Sequence, residues 1–194
     1  MTTQTCTQLL PAWQSFYVMV GSAAAAVIAI QFVVITLIAN LRRSVPAEAL
    51  SAFATPTVVQ LGSALLLSAI MSAPWPSLCS VAIALALFGL GGLVYKATVI
   101  YRARRQTYYQ PERADWIWYA LLPGIAYVTI AIAAMSLWSY PCPALFATAT
   151  GALALLLIGI HNAWDTVIHI VVVRLPGEAE EQVSNKIYRP DGRS

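Results

Sequence analysis

Five apolar stretches, at about 16–39, 57–73, 77–100, 116–139 and 144–173, hold only two charged residues between them, Lys96 and Asp165. A helix needs about 20 mostly apolar residues to cross a bilayer core of roughly 30 Å. Four of the stretches exceed that length, and the second sits at its short end. Transmembrane strands are about 9–11 residues long and alternate in polarity, which none of these runs does. The remaining composition cannot rescue a soluble reading. Only 10% of the 194 residues are charged and 59% are hydrophobic, against about 25% charged in an ordinary soluble domain. The expectation is an all-α integral membrane protein, a bundle of five transmembrane helices.

The basic residues give this bundle a direction. In a five-span arrangement all eleven Lys and Arg residues fall on one side. Arg42 and Arg43 follow span one; Lys96, Arg102, Arg104, Arg105 and Arg113 surround the loop after span three; Arg174, Lys186, Arg189 and Arg193 follow span five. The positive-inside rule then places the N-terminus outside and the C-terminus in the cytoplasm. Residues 1–15 read as a periplasmic tail, 16–173 as the transmembrane domain and 174–194 as a flexible cytoplasmic tail. Span one has no basic residue before it and is too long for a signal-peptide core, so it reads as an anchor. Trp13, Trp75, Trp138 and Tyr140 mark the outer edge; Tyr95, Tyr101, Trp116, Trp118 and Tyr119 mark the inner one. Span two is open in one respect. Either an interfacial helix over 44–54 precedes it, or one long helix is kinked at Pro56.

Polar residues inside the spans are the functional signal. His161, Asn162, Asp165 and His169 lie in span five, with His161, Asp165 and His169 four apart on one helical stripe. Asp165 is nine residues before Arg174, about 13 Å inward at 1.5 Å per residue. Lys96, Gln31, Thr36, Thr57, Gln60, Tyr119 and Tyr127 fall in the cytoplasmic halves of the other spans, so Lys96 and Asp165 can meet. Three readings compete for this cluster. In the first it glues helices together, as polar side chains do in membranes. In the second it handles protons or ions on a transport route, as intramembrane Asp and His do. In the third His161 with Asp165, or Asp165 with His169, ligates a metal together with residues of other helices. Both histidines cannot reach one ion, because eight residues span about 12 Å of helix. The reading taken is a small polytopic membrane protein with a His/Asp/Lys cluster serving transport or proton handling. A structural or accessory subunit of a membrane complex and a membrane metalloenzyme are the alternatives. No nucleophilic triad or catalytic carboxylate pair stands out, so catalysis is the weakest of these, and no cofactor is expected.

Three cysteines, Cys6, Cys79 and Cys142, all fall at the outer face, where disulfides form. A bond from Cys6 in the mobile tail to one of the two turn cysteines is the favoured clasp. Small residues recur at four-residue spacing, among them Gly21, Ala25 and Ala29, Ala147 and Gly151, and Gly159 and Ala163, with Gly89, Gly91 and Gly92 in span three. They suit close helix packing within the chain, with a homo-oligomer interface as the other use. Arg102, Arg104 and Arg105 are placed to meet anionic lipid headgroups, and no nucleic-acid partner is expected. The stretches SAFATPTVVQLGSALLLSAIMSAPW and IGIHNAWDTVIHIVVV, in spans two and five, resemble segments of an uncharacterised family of bacterial polytopic inner-membrane proteins. That resemblance implies a bacterial cytoplasmic membrane and no particular activity.

Overall fold

The computed structural model describes residues 10–41, 47–105 and 117–168. Apart from the connections at 73–77 and 137–140, those residues are helical, with no strand among them. We number the helices α1 (Leu10–Leu41), α2 (Ala47–Ser72), α3 (Leu78–Arg105), α4 (Leu122–Ser136) and α5 (Pro141–Ile168); a π-helical turn at Ile117–Leu121 leads into α4. Four segments, Pro11–Leu37, Leu78–Tyr101, Ile117–Ser136 and Pro141–Ile168, are long and apolar enough to cross a membrane. The apolar part of α2, Thr57–Ser72, is shorter. Of the two arrangements open at Pro56, the structure has the single helix: α2 runs unbroken from Ala47 to Ser72.

Helix ends follow local chemistry. Ser77 caps α3, its Oγ accepting the Ser80 backbone N–H at 3.2 Å, the bond an N-cap hydroxyl makes to a free first-turn donor. The Trp75 indole N–H donates to the Ile70 carbonyl in the last turn of α2, where carbonyls have lost their helical partners. Pro141 and Pro143 occupy the first turn of α5, where a missing N–H breaks no helical bond. They let α5 begin three residues earlier than the expected 144. The short connections Ala73–Ser77 and Leu137–Tyr140 lie at one end of the bundle, here the turn end. Arg105, Ile117 and Ile168 lie at the other, the basic end.

Packing rests on missing side chains. Lipid gives helices no hydrophobic drive to associate, so close backbone approach and dispersion must hold them. A Cβ at Gly159 of α5 would lie 2.6 Å from Cδ2 of Leu61 on α2. One at Gly151 would lie 2.7 Å from Ile130 of α4, and one at Gly89 3.0 Å from the Ala131 backbone. A Cβ at Gly92 would overlap the Tyr127 ring, while Gly21 sits on Ser68. The glycines singled out in the sequence therefore work within the chain, except Gly91, which has nothing within 4 Å; Ala25 and Ala29 are exposed. These pairs also set an antiparallel register for α2 with α5, α3 with α4 and α4 with α5. α5 is the central helix: 56% of its most apolar stretch is buried, against 17% for α3. α1 lies against α2 and α5, and α3 lies on the far side of α4.

Candidate functional site

The polar residues of α5 divide by helical face. Each residue turns the helix by about 100°, so neighbours in sequence look in different directions. Asn162 and Thr166 are buried, whereas His161 and Asp165 are exposed. On the buried face, Asn162 Nδ2 donates to Gln60 Oε1 of α2 at 2.6 Å, and both residues are 0% exposed. Thr166 Oγ1 donates to the Asn162 carbonyl at 2.7 Å. Thr57, one turn from Gln60 on α2, is also buried, and so is Gln31 of α1.

These amides are only partly satisfied. Gln31 Oε1, Gln60 Nε2 and Asn162 Oδ1 are buried without a hydrogen-bond partner. Oxygen and nitrogen of an amide can be exchanged in assignment. Exchanging both Gln60 and Asn162 keeps their mutual bond and still leaves one free donor and one free acceptor. The same condition holds nearer the turn end, where Tyr17 Oη and Ser68 Oγ are buried and unpartnered.

Two further polar contacts frame this core. Ser63 Oγ and Tyr127 Oη lie 2.7 Å apart and join α2 to α4. Lys96 of α3 is buried, and its ammonium donates to the Tyr119 carbonyl at 2.9 Å. That carbonyl belongs to the π-helical turn, whose Trp118 stacks on the His161 imidazole with ring centroids 3.7 Å apart.

The structure thus joins Gln60 of α2 to Asn162 of α5 and buries Gln31 on α1. It does not bring Lys96 to Asp165. No ion pair joins them, because α3 and α5 flank α4 and Asp165 looks away from the bundle. His169 lies outside the described residues, as do the side chains of Arg102, Arg104 and Arg105. Among the described residues no three His, Cys, Asp or Glu side chains lie together, so His161 and Asp165 gain no third ligand from them. Cys79 is exposed with a free thiol, Cys142 is disulfide-bonded, and Cys6 lies outside the described residues.

Comparison with protein families, characterised proteins and solved structures gave no match. The chemistry rests on the side chains alone. Sequence reasoning missed Tyr17, Ser63 and Ser68. A signal for two of them exists: Gln60 and Ser68 are eight apart on α2, and Tyr17 precedes Gly21 by four on α1, the spacing of residues that share a helical face.

Proposed function

We propose that this chain is a multi-pass protein of a bacterial inner membrane and a component of a transport process. Its solute site is the amide cluster Gln31, Gln60 and Asn162. The observation that carries this reading is the set of three buried amide atoms without a partner. A polar contact serving only as glue gains most when it is fully satisfied, since each unmatched buried polar atom costs about 1–3 kcal/mol. Unmatched buried amide atoms, two of them on side chains already bonded to each other, fit a site that takes a guest. Intramembrane polar groups commonly mark such paths.

Five spans with the N-terminus outside remain the arrangement that fits best. α2 is short in its apolar part, yet it packs antiparallel along α5 through Leu61–Gly159 and Gln60–Asn162. A short span buried among neighbours tolerates mismatch better than one facing lipid. The disulfide-bonded Cys142 at the turn end supports an oxidising compartment on that side, opposite the basic residues. Asp165 lies 24 residues beyond Pro141, about 36 Å along a helix. That exceeds the roughly 30 Å core, so an exposed Asp165 reaches the cytoplasmic interface and needs no buried partner.

A second reading has its own support. The 2.6 Å Gln60–Asn162 bond joins α2 to α5, which suits a rigid accessory subunit of a membrane complex. Purified protein reconstituted in liposomes separates the two. Transport predicts solute or ion movement above that of protein-free vesicles, lost in a Gln60→Leu/Asn162→Leu double variant that still folds. Wild-type vesicles indistinguishable from protein-free ones would reject transport and leave the accessory role.

A further inference from the structure

Besides the amide cluster, the bundle holds a second place with buried polar atoms that nothing in the protein satisfies. Tyr17 is 0% exposed and Ser68 3% exposed, and neither hydroxyl has a hydrogen-bond partner. They come from α1 and α2. Ser68 faces Gly21, where a Cβ would stand 3.6 Å from its Oγ, and Tyr17 stands one turn from Gly21 on the same face of α1. From that level, ten residues along α1 lead to Gln31 and eight back along α2 lead to Gln60. In an antiparallel pair these arrive within a turn of each other. By this count the two polar places lie about 12 Å apart along α2 at 1.5 Å per residue, with Ser68 against α1 and Gln60 bonded to α5. Buried Ala24 and Ala64 lie on the stretch between them.

Their chemistry selects a class of guest. Neither place has a carboxylate, imidazole or ammonium among its described side chains. At the amide cluster one donor and at least one acceptor are free, whichever way the Gln60 and Asn162 amides are assigned. A hydroxyl likewise donates and accepts. A bare cation would meet the amide N–H group there, and an anion would meet the carbonyl oxygens. A small neutral molecule that both donates and accepts satisfies both.

We propose that the α1–α2 seam is a route for small neutral hydrogen-bonding solutes, with one station at Gln31, Gln60 and Asn162 and a second at Tyr17 and Ser68. This rests on the transport reading and narrows it to an uncharged cargo, water being the smallest member of the class. The solute exchanges hydrogen bonds at each station and crosses the alanine-lined stretch between. Apolar constrictions of this kind hold a path closed until it is wetted.

The test uses the full-length protein in liposomes. Water passage is read by osmotic shrinkage in sucrose, glycerol and urea entry by reswelling, and proton and sodium entry by trapped dyes. Wild type is expected to speed at least one neutral probe and neither ion. Tyr17→Phe and Ser68→Ala are each expected to slow that probe about fivefold to tenfold, the equivalent of one neutral hydrogen bond. Thr98→Ala, which removes an exposed hydroxyl bonded only to its own helix at Val94, should leave it unchanged. Thermal unfolding in detergent guards against misfolding: deleting an unsatisfied buried hydroxyl should leave stability equal or higher. Loss of passage in Gln60→Leu/Asn162→Leu with full passage in Tyr17→Phe and Ser68→Ala overturns the second station but not the transport reading. Proton or sodium entry without any neutral passage overturns the uncharged cargo. Passage of no probe overturns both.

Discussion

A primary amide offers two donors and two acceptor positions, and Gln60 and Asn162 share a single bond between two such groups. Removing one partner strands the other. Asn162→Leu should cost about 1–3 kcal/mol, because it leaves the buried Gln60 carbonyl oxygen without its Asn162 donor. Adding Gln60→Leu should recover much of that loss, since an apolar pair of similar shape needs no hydrogen bond. Reversible unfolding in detergent measures the cycle, and a double variant as unstable as the sum of the singles would mean the two do not act as a unit. Adjacent glycines give a second contrast. At Gly92 a Cβ overlaps the Tyr127 ring, whereas at Gly91 nothing lies within 4 Å. Gly92→Ala should displace that ring from Ser63 and lower stability by about 1–3 kcal/mol, as overpacking does. Gly91→Ala should be neutral or slightly stabilising, since alanine favours helix over glycine. Equal melting temperatures for the two variants would contradict the packing described.

At the scale of elements, run length made the helices legible and rotation hid the contacts. The long apolar runs place α1, α3, α4 and α5 because a bilayer sets one length for all of them. Gln31, Gln60 and Asn162 could be placed at one level by counting residues. The Lys96–Asp165 pair was read from depth too, but depth does not say which way a side chain faces. Asp165 is one full turn from exposed His161 and turns outward with it, while Asn162, one residue from His161, turns inward. The π-helical turn carries no signature in IWYAL, because the neighbours that hold it are distant in sequence. Lys96 bonds its Tyr119 carbonyl from α3, and His161 stacks on its Trp118 from α5. π-turns loosen the regular ladder and are rarely stable without such support. Lys96→Met should therefore raise backbone hydrogen exchange across Ile117–Leu121 while leaving the middle of α5 protected. Unchanged exchange there would mean that the turn holds itself.

For the whole molecule, two independent kinds of chemistry bear on which end faces the cytoplasm. Charge is one: every Lys and Arg falls at the same end of a five-span arrangement, and translocating such residues is what the positive-inside rule forbids. Redox state is the other. Cys142, at the turn end, is disulfide-bonded while Cys79, on the same side, is free, and disulfides persist in oxidising compartments. With Cys79 free, Cys6 is the one remaining cysteine in the sequence, and a Cys6–Cys142 bond would clasp the N-terminal tail to the first turn of α5. Both lines predict the same topology by different physics, so they can fail separately. Reporter fusions after Arg43, Trp75, Arg105, Tyr140 and Ser194 should alternate in, out, in, out, in. Unreduced, thiol-blocked protein taken from the membrane should yield a Cys6–Cys142 peptide pair by mass spectrometry and an alkylated Cys79. A periplasmic reporter signal at Arg105 would overturn the orientation whatever the cysteines do. Alkylation of all three cysteines with the fusions alternating as expected would leave the orientation standing on charge alone and remove the clasp. The fusion after Trp75 is the sharpest of the set, because it depends on α2 crossing despite its short apolar stretch. An outside signal there requires the helix to span, and its packing along α5 is the physical reason that it should.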